Sequence, residues 1–250
     1  MSKTNVALAI EESHATITFS TEDGLNVLNS DVVRTFHSLV AKVAKEPKVR
    51  ATVVRGTGKV FLAGADIKEM AKFTPEQGKA YAELGQGAFS DLASLPCITV
   101  AAINGPALGG GLELALACDF RIALRTAKLG CPEVTLGLIP GWGGIGRLTK
   151  LVGHSHAKRL YLSGSPLSAE ETLAWGLIDE VVNSTEDLEH RVAAFCKSLR
   201  KASPAAVRLA KRAARDLDEV TPFGECFETV DSQEGMAAFV EKRPARWMEG

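Results

Sequence analysis

The stretch Ile98-Thr99-Val100-Ala101-Ala102-Ile103, Asn104-Gly105-Pro106-Ala107-Leu108-Gly109-Gly110-Gly111, Leu112-Glu113-Leu114-Ala115-Leu116-Ala117-Cys118-Asp119, Phe120-Arg121-Ile122-Ala123-Leu124 decides the fold. Its β-branched opening run has no polar alternation, so it reads as a strand buried on both faces. A glycine-rich turn follows, then an apolar helix over 112–118, then a second buried strand over 120–124. Strand, helix, strand is the pattern of a crossover unit in a mostly parallel sheet. The whole stretch is apolar enough to suggest a membrane span, but Asn104, Pro106, three consecutive glycines and Glu113 break it too often.

Outward from this centre, Arg50–Arg55 is another β-branched run ending in a glycine turn, and Val6–Ile10 and Ala15–Phe19 alternate as two opening strands around Glu11–His14. Val32, Val33, Phe36, Leu39, Val40 and Val43 recur at helical spacing, which predicts a helix over Asp31–Ala44 with Ser30 as its cap and Pro47 closing it. Another helix is expected over about 74–93. After about residue 153 helices are expected to dominate, over 155–162, 168–175, 188–199, 204–217 and 223–241. The pattern is an α/β core followed by a helical tail of the kind that packs on a neighbouring subunit. No fixed-period repeat or low-complexity tract is present.

Composition narrows the function. In 250 residues, 29 Lys and Arg stand against 30 Asp and Glu, for a net charge of −1, so a dedicated nucleic-acid binder is not expected. A hydrophobic share of 46% is enough for a sizeable core. The five cysteines (97, 118, 131, 196, 226) form no C-x-x-C and read as reduced thiols. Met1–Glu12 lacks the shape of a signal peptide, and the expected location is the cytoplasm.

Three glycine-rich loops follow strand-like runs: Phe61–Asp66, Asn104–Glu113 and Pro140–Gly144. Such loops turn tightly, or let a ligand approach free N–H groups at a helix start. Glu113 lies among Leu112, Leu114, Ala115 and Leu116, and Glu133 within Leu129-Gly130-Cys131-Pro132-Glu133-Val134. A carboxyl in apolar surroundings is costly unless hydrogen-bonded or protonated, which suits acid/base work, although each is equally readable as a cap or turn residue. Paired carboxylates also serve glycoside hydrolysis, but three Trp and two Tyr make a poor sugar platform. Gly141–Gly146 formally matches G-x-G-x-x-G, yet Pro140 stands where the preceding strand belongs. No metal-ligand spacing and no G-x-S-x-G occurs; His154 and His156 read as surface residues, and Arg208, Lys211, Arg212 and Arg215 as a solvated helix face.

Phe61–Met70 (FLAGADIKEM), Ile103–Asp119 (INGPALGGGLELALACD), Cys131-Pro132-Glu133, Leu136–Gly144 (LGLIPGWGG) and Glu234–Arg243 (EGMAAFVEKR) together resemble the enoyl-CoA hydratase/isomerase, or crotonase, superfamily across essentially the whole chain. The resemblance implies a spiral of ββα units over 1–190 and a helical oligomerisation region over 191–250 that builds homotrimers or hexamers. It implies an acyl-CoA substrate, with coenzyme A entering as part of that substrate, no other cofactor and no metal. It further implies an oxyanion hole from the N–H groups of Ala65 and Gly110, with glycine at 110 to leave room for the thioester oxygen. Glu113 would handle water and Glu133 the C2 proton. Ala63, Asp66, Ile67 and Lys68 would line the CoA channel, Asp66 being alternatively a plain helix cap. Gly141 would lie beside the acyl chain, Trp142 would narrow the acyl pocket, and Lys242 would approach a CoA phosphate. Thr21-Glu22-Asp23-Gly24 departs from the Arg-Pro common before the first helix, which leaves an acyl carrier protein as an alternative carrier. The implied reaction is syn-hydration of a 2-enoyl-CoA. The alternatives are isomerisation or C–C bond hydrolysis on an acyl thioester, or a non-catalytic thioester- or RNA-binding scaffold.

Overall fold

Residues 5–20 double back at Glu12, whose φ of +50° makes the turn. β1 (Asn5–Glu11) and β2 (His14–Ser20) pair antiparallel, Asn5 opposite Ser20 and Glu11 opposite His14. Period-two alternation sends Ala15, Ile17 and Phe19 into the core. The computed structural model describes residues 3–248. Met1, Ser2, Glu249 and Gly250, the outer ends of the two expected regions and of the N-terminal stretch, lie outside the described residues.

α1 (Ser30–Val43) buries the six apolar residues that its spacing predicts. Its cap is Asn29 and not Ser30: the Asn29 side chain accepts from the Val32 N–H at 2.9 Å, because Asn29 holds the extended backbone of a cap while Ser30 is already helical. Phe36 packs between Phe19 and Phe89, with ring centroids 5.5 and 6.1 Å away.

β3 (Ala51–Gly56) follows, then the short helix α2 (Ile67–Met70), then α3 (Pro75–Ala93), which a Thr74–Gln77 capping box and Pro75 start. The deciding stretch resolves into β4 (Ile98–Ile103), β5 (Ala107–Leu108), α4 (Gly110–Ala115) and β6 (Phe120–Leu124). β7 (Lys128–Gly130), a 3₁₀ turn over Pro132–Leu136 and α5 (Gly144–Ser163) come next, followed by β8 (Leu167–Ser168), α6 (Ala169–Ala174), β9 (Glu180–Val182) and α7 (Thr185–Ser198). The chain continues through α8 (Pro204–Asp216), α9 (Val220–Cys226) and α10 (Val230–Val240).

The main sheet runs β1-β2-β3-β4-β6-β9, parallel from β2 onward, and a small second sheet runs β5-β7-β8. Alternate residues of β4 separate two cores. Ala101 and Ile103 belong to the larger core, which also takes in the buried faces of α1 and α3, while Val100 and Ala102 join Ile122 and Leu124 under Leu188, Val192 and Cys196 of α7. α7 thus covers the second sheet face, and residue 190, the expected regional boundary, lies within it.

Helices do not monopolise the chain after residue 153. β8 and β9 intervene, and β9 completes the main sheet beside β6. Strands of two or three residues are too short to show an alternation, so their partners reveal them. The helix expected over 155–162 is the second half of α5, which kinks at Gly153 (φ 74°, ψ 165°). The helix expected over 223–241 divides into α9 and α10, with Thr229 capping the second by accepting from the Ser232 N–H. The basic run is not simply solvated. Lys211 turns inward to donate to Asp119 (2.6 Å) and the Cys97 carbonyl (2.9 Å), Arg212 pairs with Glu225, and Arg215 with Asp216.

Candidate active site

Two of the glycine loops lie side by side, tied backbone to backbone. The Phe61 N–H donates to Pro106 O (3.1 Å) and the Leu108 N–H to Leu62 O (3.0 Å). On its other flank the first loop forms a parallel bridge between Ala65 and Leu28, in which Gly64 O and the Asp66 N–H make the bonds. In a parallel bridge the flanking residues make both bonds, so the N–H of Ala65 points away from Leu28. The Gly109 N–H is spent on Gly130 O, whereas Gly110 opens α4 and its N–H is one of the donors a helix start leaves unsatisfied. Ala65 and Gly110 therefore stand in loops held against each other, each with an N–H turned out of the sheet bonding.

The three consecutive glycines have three neighbours. A Cβ on Gly109 (φ +51°) would stand 2.9 Å from Glu133 Oε1, one on Gly110 2.3 Å from Cζ3 of Trp142, and one on Gly111 2.3 Å from Leu62 O. Gly110 is thus held to glycine by an indole ring inside the protein, a constraint that stands beside the expected room for a substrate oxygen.

Glu113, in the first turn of α4, is 2% exposed. Its Oε1 accepts from the Gly144 N–H (2.7 Å) and the Trp142 N–H (2.8 Å), so the carboxylate occupies the start of α5. Burial pushes its pKa up to about 7 despite those donors, and the nearby Glu133 charge adds to the rise. Glu133, in the 3₁₀ turn, is half-buried, and burial raises its pKa too; its Oε2 is buried without a hydrogen-bond partner. The structure thus brings Glu113, Glu133, Ala65 and Gly110 around one loop crossing.

The other expected residues divide. Ala63, Ile67 and Lys68 are exposed beside this crossing, and Asp66 caps α2, accepting from the N–H groups of Lys68 (2.9 Å) and Glu69 (3.4 Å). Gly141 is half-buried, its carbonyl accepting from Gln86 Nε2 (2.8 Å). Trp142 does not present its face to solvent. The residue is 3% exposed, its ring wedged between Gly85 and Gly110 with Nε1 donating to Tyr81 O (3.0 Å). It is a floor beneath the site, because the glycines on both sides admit the indole where any Cβ would clash. Lys242 is exposed just past α10, in a left-handed backbone (φ +55°).

Sequence reasoning missed the Trp142 and Gly144 N–H groups as anchors of Glu113. The signal was present in the Gly-Trp-Gly-Gly run opening a helix. It also removes the dinucleotide reading of Gly141–Gly146, since no strand precedes the run and the helix start is filled by the chain's own carboxylate. His154 and His156 are exposed, the latter stacked on Trp175 at 4.3 Å, and among the described residues no three His, Cys, Asp or Glu side chains gather as a metal-binding group.

A family model described as enoyl-CoA hydratase/isomerase matches residues 9–250. The chain belongs to the enoyl-CoA hydratase/isomerase family. It is 39% identical to a short-chain-enoyl-CoA hydratase of Clostridium acetobutylicum, covering 97% of both chains, and 39% identical to a crotonyl-CoA hydratase of Syntrophomonas wolfei, covering 99% of both. A crystal structure of an enoyl-CoA hydratase from Bacillus anthracis superposes with a TM-score of 0.90 at 34% identity, over 98% of this chain and all of that one. As a member of the enoyl-CoA hydratase/isomerase family, the chain has the crotonase fold, and its ββα units are the turns of that spiral. Among the described residues no helix is long and apolar enough to cross a membrane.

Proposed function

We propose that this chain is an enoyl-CoA hydratase that adds water syn across the C2=C3 bond of a 2-enoyl-CoA thioester. The observation that carries the reading is the pair of carboxyls, Glu113 buried and Glu133 half-buried, at the crossing of the two glycine loops. The Glu113 carboxylate takes a proton from water as the water oxygen bonds to C3. The C2=C3 electron pair shifts toward the thioester carbonyl, whose oxygen gathers charge between the N–H groups of Ala65 and Gly110. Glu133, as the carboxylic acid, gives a proton to C2 and the carbonyl re-forms. Two fixed donors aimed at that oxygen are each worth a factor of about a hundred to a thousand in rate.

Coenzyme A enters as the carrier half of the substrate, past Ala63, Asp66, Ile67 and Lys68, and the chemistry calls on no further cofactor. The Trp142 floor and the names of the two relatives, which specify short-chain and crotonyl thioesters, support a short acyl group. Hydration is favoured over double-bond migration or C–C bond hydrolysis because both carboxyls, Glu113 and Glu133, stand at the loop crossing. An RNA-binding role is disfavoured because Arg212 and Arg215 are already paired with acids of the same chain. Self-association into trimers or hexamers is supported by the apolar side chains that α9 and α10 expose, among them Phe223 (67%), Phe239 (86%) and Val240 (79%).

The test follows the conjugated absorbance of crotonyl-CoA with the wild type, Glu113→Gln and Glu133→Gln. Loss of absorbance that requires both glutamates is the expected result. A wild type that binds the thioester and leaves the absorbance unchanged overturns the reading.

A further inference from the structure

Glu113 is aimed by a turn with little stiffness of its own. Its two donors belong to Pro140–Gly146, a segment with four glycines in which Gly143 has φ +95°. Three successive peptide groups of that turn are fixed from outside. The 141–142 peptide gives its N–H to Glu113, and its carbonyl, Gly141 O, accepts from Gln86 Nε2 at 2.8 Å. The 143–144 peptide likewise gives its N–H to Glu113, and its carbonyl accepts from the Arg147 backbone N–H at 3.1 Å in the first helical bond of α5. Between them, the 142–143 peptide has its carbonyl held by Arg147 Nη1 at 2.8 Å. The Arg147 guanidinium lies on the turn itself, since a Cβ on Gly143 would be 2.5 Å from Nη1.

Resting on the hydratase reading, we propose that Arg147 is a positioning residue for Glu113, clamping the turn whose N–H groups aim that carboxylate and placing its own positive charge beside it, with Gln86 fastening the adjacent peptide. The charge matters because of what else faces Glu113. From the 3₁₀ turn comes Glu133, of like charge when ionised; just past β7 comes Cys131, a thiol that burial keeps neutral; from α5 comes Arg147, which is half-buried and adds its attraction to that of the two N–H donors in favouring the ionised carboxylate. Clamp and charge thus reside in one side chain. A planar guanidinium suits this double duty better than an ammonium does.

The experiment compares Arg147→Met, Arg147→Lys and Gln86→Leu with the wild type by the pH dependence of kcat/KM for crotonyl-CoA, and by kcat and KM separately. Arg147→Met is expected to move the acid limb upward as the counter-charge is lost. It also lowers kcat by about ten- to a hundredfold through misaim, with KM nearly unchanged. Arg147→Lys restores the limb toward its wild-type position while kcat stays reduced. Gln86→Leu lowers kcat without moving the limb. If circular dichroism shows that Arg147→Met does not fold, Arg147→Gln carries the same comparison. An acid limb that stays in place in every neutral variant, or activity losses that merely track the folded fraction, overturns the proposal. A wild type without hydratase activity sinks the functional reading instead, so the two failures are distinguishable.

Discussion

A methyl group on Gly110 would stand 2.3 Å from Cζ3 of Trp142, and the indole has no room to retreat because a Cβ on Gly85 would stand 2.1 Å from its Cδ1. Gly110→Ala is therefore expected to destabilise the fold by about 1–3 kcal/mol through overpacking. Trp142→Leu should absorb most of that cost, so urea titrations of the two single variants and the double variant should give a non-additive cycle. Glu113 has a different energetic signature. Its folded pKa of about 7 lies above the ordinary carboxyl value of 4.5, so the folded chain holds a proton that the unfolded chain releases between those pH values. Stability is accordingly lost as pH rises through that window, by about 3 kcal/mol in all. Glu113→Gln, which cannot ionise, is expected to gain on the wild type by this amount between pH 4 and pH 8 in urea titrations; a constant difference across that range refutes the assignment. If Glu113 is the base of the proposed hydration, the same ionisation should set the acid limb of kcat/KM at about 7, which a pH–rate profile checks. Glu113 was legible in the sequence because a carboxylate among leucines is conspicuous. The burial of Trp142 was not, because what admits the ring is Gly85, more than fifty residues away along the chain.

At the scale of elements, the strands of the main sheet that run five residues or more could be read from β-branched content and alternation. β5, β7, β8 and β9 could not, since segments of two or three residues are defined only by the partners that dock on them. Caps posed a similar difficulty. Asn29 and Ser30 are both competent, and only the backbone angle at 29 assigns the role. Asp66 carries its own prediction at this scale. As the cap of a four-residue helix it ties down the Lys68 and Glu69 amides, so Asp66→Ala should speed hydrogen exchange at those two amides while Asp66→Asn, which still accepts, leaves them protected. Equal exchange in both variants would remove the capping role.

At the scale of the whole molecule, the tail is held to the core at several points, among them Arg50 donating to the Ala202 carbonyl and one inward lysine. Lys211 of α8 reaches Asp119, whose carboxylate also accepts from the Thr99 N–H at the start of β4, so the tail grips the turn that ends α4. Beyond that grip, α9 and α10 leave Phe223 and Phe239 in water on the single chain. Phe223→Asp combined with Phe239→Asp should shift sedimentation to a smaller species, and an unchanged coefficient would show that these faces do not hold copies together. The sequence showed the tail's helices but not which of their faces would stay bare, because that depends on how α8, α9 and α10 fold back on each other. The seat of Glu113 at the start of α5 has a last consequence. Two N–H groups aimed at one carboxylate oxygen remain after the side chain is cut back, leaving a receptor for a small exogenous acid. Glu113→Ala should therefore be open to chemical rescue, regaining turnover when supplied with formate and not with chloride at equal ionic strength.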